Sequence, residues 1–65
     1  MQVMTKLKQM RILMHMTQSE LAKKVGVKPP TVNTLERIGI WNTHTAKKYA
    51  AALGCNLLFL LEGLD

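Results

Sequence analysis

Apolar side chains recur along this chain at the spacing of α-helices. Over residues 2–13 they stand three and four positions apart, at Val3, Leu7 and Met10, and the series continues to Met14. Because residues at these intervals share one face of a helix, the pattern predicts an amphipathic first helix. No segment alternates between apolar and polar residues for long enough to predict a strand.

The second predicted helix is marked by its two ends. Thr17 is followed three residues later by Glu20. In a capping box the threonine hydroxyl accepts from the glutamate amide, while the carboxylate accepts from the threonine amide. Gly26 can adopt the positive φ that commonly ends a helix. These signals predict a helix over residues 17–25.

Two prolines open the third predicted helix, which spans residues 29–37. Proline fits the first turn of a helix because amides there lack partners within the helix, and Lys28 precedes the prolines as the N-cap. Val32 and Leu35 share one face of this helix. The opposite face carries Pro30, Asn33, Thr34 and Arg37.

Two further helices complete the expected fold. Asn42 or Thr43 can cap a helix over residues 44–53, and Asn56 can cap a short helix over 57–62. Five helices without a strand predict an all-α fold, and we expect a compact five-helix domain. The 65 residues leave room for one domain, which takes in the whole chain.

The net charge of the chain indicates which kinds of partner the protein is suited to bind. The formal net charge is +5, and two of the four acidic residues, Glu62 and Asp65, lie at the C-terminal end. Residues 1–61 therefore carry nine Lys or Arg against two Glu, a balance of +7. A segment with this excess of positive charge suits binding to nucleic acid or to an anionic membrane surface. A lysine-rich surface that only keeps a small protein in solution gives the same excess of positive charge.

Other features argue against an enzyme, a metal site and a membrane protein. One cysteine cannot form an intramolecular disulfide, and the longest apolar run, residues 57–61, is far shorter than a membrane span. With no signal peptide pattern, we expect a cytoplasmic protein. The spacing of His15, His44 and Cys55 fits no zinc pattern. No nucleophile, base and orienting group converge, so we expect no catalysis and no cofactor.

The link between the second and third predicted helices is short. Gly26, Val27 and Lys28 form it, and a turn of this length that contains glycine is typical of a helix-turn-helix. The second helix of such a unit projects from the body. A helix about 10–12 Å across matches the major groove of B-DNA.

At this point the sequence resembles the lambdoid phage repressor and Cro-type family, the xenobiotic-response-element-like regulators, which also includes restriction-modification controllers and antitoxins. The matching segments are Thr17-Gln-Ser-Glu-Leu-Ala-Lys-Lys-Val-Gly-Val27, Thr31-Val-Asn-Thr-Leu-Glu36, Ala50-Ala-Ala-Leu-Gly54 and Leu60-Leu-Glu-Gly63. The resemblance implies a sequence-specific transcription regulator of the repressor or Cro type. Such a protein binds a palindromic operator in double-stranded DNA as a homodimer, with its third helix in the major groove.

The resemblance also implies roles for individual residues. Arg11 and Glu36 match a structural ion pair. The base-reading positions of the family map onto Pro29, Pro30, Asn33 and Thr34. Relatives often carry Gln, Ser or Arg at the first two positions, and proline offers at most an apolar contact with a thymine methyl. The other residues expected at the DNA, mostly near phosphates, are Gln18, Lys28, Thr31, Arg37, Asn42 and His44.

Two regions leave alternatives open. We expect Trp41 to pack on the body rather than donate its indole N–H to a phosphate. We expect Leu57, Leu58 and Phe59 to form the dimer contact, because this run has more apolar residues than a short helix can bury. Phe59 folded back over the core is the structural alternative. An antitoxin or anti-repressor that mainly binds a protein partner is the functional one.

Overall fold

The computed structural model describes residues 4–63. Within them lie four α-helices, followed by one turn of 3-10 helix. The helices are α1 (Lys6–Leu13), α2 (Gln18–Val25), α3 (Pro29–Ile38) and α4 (Thr43–Leu53), and the 3-10 turn is Leu57–Phe59. The predicted all-α class is correct for the described residues, whereas the fifth helix is reduced to this turn.

Most helix ends follow the predicted capping residues. The amide of Thr17 donates to Glu20 Oε1 at 2.8 Å, and the amide of Glu20 donates to the Thr17 hydroxyl at 3.0 Å, so the capping box is present. Gly26 ends α2 with a φ of 90°. Asn42, rather than Thr43, caps α4 through its side-chain oxygen, which accepts from the Thr45 amide.

The predicted start of α1 is wrong. The helix was expected from residue 2, but it begins at Lys6, and Thr5 is its N-cap, with a hydroxyl that accepts from the Lys8 amide. Residues 2 and 3 lie outside the described part of the chain. The apolar stripe is also shorter than expected, because Leu7 is fully buried while Met14 is 41% exposed.

The C-terminal segment departs from helix after Phe59. Leu61 forms a parallel β-bridge with Ile40, and the Glu62 amide donates to the Ile40 carbonyl at 2.7 Å. The backbone amide of Lys6 donates to the Glu62 carboxylate at 2.7 Å. A helix over residues 57–62 was therefore a wrong prediction, because pairing with the α3–α4 loop draws this segment out of the helical path.

The core is aliphatic and lies between all four helices and the C-terminal segment. The largest side chains that are fully buried are Leu7, Leu21, Val32, Ile40 and Leu60. Tyr49 is buried beside them, and its hydroxyl has no hydrogen-bond partner among the described residues. Removal of this hydroxyl from water raises the pKa of Tyr49.

Gly39 allows the loop after α3 to pass close to the C-terminal segment. Its φ of 85° and ψ of 171° lie in a region that is essentially restricted to glycine. A Cβ at this position would stand 2.7 Å from Cγ of Glu62. Glycine is therefore required both by the backbone conformation and by the close approach.

Candidate nucleic-acid interface

The turn between α2 and α3 is tight. The amides of Gly26 and Val27 both donate to the carbonyl of Ala22, at 2.8 and 2.9 Å. Lys28 follows as the N-cap of α3, and its side chain makes no capping hydrogen bond. Lys28 is itself exposed beside the first turn of α3.

The two faces of α3 differ as predicted. Val32 is fully buried and Leu35 is half-buried, so they point toward the body. The exposed residues of the helix are Pro29, Pro30, Thr31, Asn33, Thr34, Arg37 and Ile38. Most of these carry polar side chains or proline, and the helix thus presents short hydrogen-bonding groups to its surroundings.

A buried polar network holds α3 against α1 and α2. Glu36 is 4% exposed, and its carboxylate forms a bidentate ion pair with Arg11, through Nε and, at 3.1 Å, through Nη2. Gln18 Nε2 donates to the same carboxylate at 2.9 Å. The guanidinium also donates to the carbonyl of Met16 at 2.7 Å. Side chains from three helices therefore set the position of α3.

The side-chain nitrogen of Gln18 is hydrogen-bonded to other residues of the protein. Besides its bond to Glu36, Gln18 Nε2 donates to Oδ1 of Asn33 at 3.4 Å. Phosphate oxygens only accept hydrogen bonds, so the side-chain nitrogen in this arrangement has no donor left for one. The backbone amide of Gln18 remains, because amides in the first turn of a helix lack partners within the helix.

Trp41, in the loop between α3 and α4, packs on the surface of the body. The indole N–H donates to the carbonyl of Ile38 at 2.6 Å, so it is not available to a phosphate. The ring is 66% exposed and lies against Gly39 and Gly63 rather than in the core. Asn42 and His44 are exposed nearby, the former at the start of α4 and the latter in its first turn.

Positive charge dominates the exposed surface of residues 17–48. The exposed basic residues are Lys23, Lys24, Lys28, Arg37, Lys47 and Lys48. Glu20 is the exposed acidic residue of this stretch, and its carboxylate is engaged in the capping box. The hydrogen bond from the backbone amide of Thr17 is the main reason that the pKa of Glu20 is lowered. The surface around α3 is thus suited to a polyanion.

Comparison with known protein families identifies this arrangement. A helix-turn-helix family model matches residues 7–60, which run from α1 to the C-terminal segment. The chain belongs to the Cro/C1-type helix-turn-helix family. The resemblance inferred from the sequence is therefore confirmed, and this DNA-binding domain acts in transcription regulation through double-stranded DNA. No curated protein and no solved structure gives a significant match.

Within residues 4–63, no three His, Cys, Asp or Glu side chains stand close enough to hold a metal ion. Cys55 is half-buried, and burial raises the pKa of its thiol. No helix between these residues is long and apolar enough to cross a membrane.

The pairing of Gln18 with Asn33 was missed at the level of sequence. The two residues are 15 positions apart and lie on different helices. Whether their amides meet depends on how α2 crosses α3, which no local pattern reveals. A weak signal was present, because both residues carry amides and Pro29 and Pro30 offer no side-chain partner.

Proposed function

We propose that this protein is a repressor-type or Cro-type regulator that binds a palindromic operator as a homodimer, with α3 in the major groove. The observation that carries the proposal is the exposed polar face of α3, which is held in place by the buried pair of Arg11 and Glu36. A helix fixed in this way can present its side chains to base edges with little further ordering. Such a regulator acts in the cytoplasm of a bacterial cell.

The residues of the proposed interface divide by chemistry. Asn33 and Thr34 carry the polar groups that can read base edges, while Pro29 and Pro30 can contact a thymine methyl group. Contacts with the phosphate backbone come from the side chains of Lys28, Thr31, Arg37, Asn42 and His44 and from the backbone amide of Gln18. Sequence information therefore comes mainly from two neighbouring positions of α3.

The proposed dimer contact lies at the 3-10 turn. Leu58 is 55% exposed and Phe59 is 60% exposed, so the turn leaves an apolar surface uncovered, with Leu57 half-buried behind it. Phe59 does not fold back over the core. A two-fold contact through this surface suits an operator with half-sites about 34–36 Å apart.

Sedimentation at micromolar concentration tests the dimer. We expect a dimer for the unaltered chain and a shift toward monomer for Phe59→Ala, because the exposed ring is the largest apolar group of the contact. Ile38→Ala is a matched control, since Ile38 is 58% exposed on a different element. A strict monomer that Phe59→Ala leaves unaffected would remove the dimer from the proposal.

Selection of bound sequences from random DNA tests the reading helix. We expect Thr34→Ala to reduce preference at particular base pairs. Lys28→Ala should weaken binding to all sequences and reduce the salt dependence of log K by roughly one unit, as for the loss of one phosphate contact. If both variants bind a selected operator like the unaltered protein, α3 is not the reading helix.

A protein-interaction module of the antitoxin or anti-repressor type is the second candidate. It is favoured by the extent of the exposed apolar surface, because Leu13 of α1 is 68% exposed and lines a groove of about 360 Å³ with Met10, Leu58 and Phe59. A pull-down that recovers one protein at fixed stoichiometry, together with no DNA enriched from a random pool, would favour this function over operator binding.

A further inference from the structure

A groove of about 400 Å³ opens between α3 and α4, beside the turn that leads into α3. This volume lies within the range of small-molecule binding sites. Residues of the turn, of α3 and of α4 line the groove, and none of them lines the groove at the 3-10 turn. The groove is therefore a separate feature of the surface, and it has room for one small ligand.

The polar groups of the groove suit an anion. They belong to Thr31 and Thr34 of α3 and to Thr45 and Lys48 of α4. The threonine hydroxyls and the lysine ammonium can all donate hydrogen bonds, and Lys48 also carries a positive charge. Among the described residues that line the groove, none is acidic. A carboxylate bound here therefore has hydrogen-bond donors on both helices.

The rest of the groove is apolar. This part is formed by the half-buried side chains of Val27 and Leu35 and by Tyr49, which is 2% exposed. Acetate or inorganic phosphate would leave these surfaces in contact with water, whereas an aromatic or short aliphatic group would cover them. The lining as a whole thus fits an organic anion with an apolar body.

The hydroxyl of Tyr49 gives an independent reason to expect a ligand. It is buried and has no hydrogen-bond partner among the described residues, although most buried polar groups in proteins are paired. Burial raises the pKa of Tyr49, so the hydroxyl keeps its proton at neutral pH and can donate it in a hydrogen bond. An anion bound against Tyr49 supplies the acceptor that this hydroxyl lacks in the free protein.

We propose that this groove binds a small organic anion, of the class of aromatic or short-chain carboxylates, and that the bound anion weakens the binding of DNA. Lys48 and the Tyr49 hydroxyl donate to the carboxylate. Thr31 and Thr34 belong both to the groove and to the exposed face of α3. An occupied groove therefore places negative charge beside the surface proposed for DNA, where it repels phosphates. The effect on DNA rests on the proposed operator binding, whereas the binding of the anion does not.

Benzoate tests the site in the absence of DNA, with the backbone amide signals of the full chain in two-dimensional NMR spectra as the readout. We expect saturable shifts confined to residues around the groove and a dissociation constant of roughly 1 mM, which is ordinary for so small a ligand. Benzyl alcohol lacks the charge and acetate lacks the ring, so each should bind several-fold more weakly. Shifts that do not saturate, or that are as large for acetate and spread over Lys23, Lys24 and Lys47, would reveal only a general attraction of anions and would overturn the proposal.

Two substitutions test the proposed contacts. Tyr49→Phe removes only an oxygen without a partner in the free protein, so the fold should be kept while benzoate binds roughly three- to tenfold more weakly, the scale of one hydrogen bond. Lys48→Met should weaken binding at least as much. Lys47→Met is the matched control, since Lys47 is an exposed neighbour on α4 that does not line the groove. Circular dichroism checks the fold, and an affinity that either Tyr49→Phe or Lys48→Met leaves unchanged would overturn the proposed site.

The effect on DNA is measured with an operator selected from random sequences. With benzoate at about ten times its dissociation constant and the ionic strength held constant, we expect the affinity for the operator to fall several-fold. Benzyl alcohol at the same concentration should leave it unchanged. If benzoate binds in the groove and the affinity for DNA does not change, the regulatory part of the proposal is overturned and the ligand site stands. If the protein enriches no DNA sequence, the proposed function fails, and the NMR titration still decides whether the groove binds the anion.

Discussion

Breaking the ion pair between Arg11 and Glu36 from one side should remove much of the stability of the domain. The Glu36 side chain is 2% exposed and that of Arg11 is 13% exposed, so both charges lie largely away from water. In Arg11→Met the carboxylate stays buried and keeps only its bond from Gln18. An uncompensated buried charge of this kind costs about 3–5 kcal/mol. The folding free energy of a domain of 65 residues is about 3–10 kcal/mol.

Urea denaturation followed by circular dichroism measures this cost. With a denaturant slope of about 1–3 kcal/mol per molar urea, the midpoint should fall by about 1 M or more. Arg37→Met is the matched control, because Arg37 is exposed, and it should stay within about 0.5 kcal/mol of the unaltered protein.

A double variant tests whether the unpaired buried charge is the cause of the lost stability. Arg11→Met combined with Glu36→Leu removes both buried charges, and replacing a buried pair by apolar side chains is often neutral or stabilising. We therefore expect the double variant to recover most of the stability lost in Arg11→Met. A loss below about 1 kcal/mol for Arg11→Met, or a double variant as unstable as the sum of the two single changes, would refute this reasoning.

Three further changes test other parts of the structure by the same unfolding assay. Gly39→Ala should cost about 1–3 kcal/mol and more than Gly54→Ala, because a Cβ at Gly54 meets nothing within 4 Å; equal costs would contradict the close approach. Glu20→Gln should destabilise at neutral pH, since the lowered pKa of Glu20 means that its charged form stabilises the fold. The difference in stability between the unaltered protein and Glu20→Gln should be fully present above the ordinary pKa of 4.5 and should vanish as the pH falls through the lower pKa of the folded state. A difference that does not depend on pH would contradict the role of Thr17. Tyr49→Phe removes a buried hydroxyl without a partner and should be neutral or stabilising by about 1 kcal/mol, and a clear loss of stability would reveal a partner for that hydroxyl.

Features that depend on neighbouring residues were predictable from the sequence. The capping box of Thr17 and Glu20, the glycine at the end of α2 and the proline start of α3 each involve residues within one or two turns. Local hydrogen bonds of this kind do not require knowledge of how the helices pack. The exposed face of α3 was predictable for a similar reason, because Val32 and Leu35 must turn inward together.

Features that depend on distant contacts were not predictable in this way. The residues after Phe59 have the composition of a helix, but Leu61 pairs with Ile40, which is 21 positions earlier in the chain. The start of α1 was placed too early because the apolar spacing alone extends back to Val3, whereas the Thr5 hydroxyl caps the helix. A periodic pattern locates a face of a helix better than it locates the ends.

The role of the two prolines shows how local and distant features combine at the interface. From the sequence, Pro29 and Pro30 appear only as a loss, since they remove two side chains that could read bases. In the structure the same loss leaves Gln18 with one exposed partner, Asn33. The side-chain nitrogen of Gln18 faces Asn33 because the same nitrogen donates to Glu36. Glu36 is buried and paired with an arginine of α1. The buried charge pair therefore helps to set the orientation of the Gln18 amide beside α3, and substitutions at the pair should alter the arrangement of this surface as well as the stability of the domain.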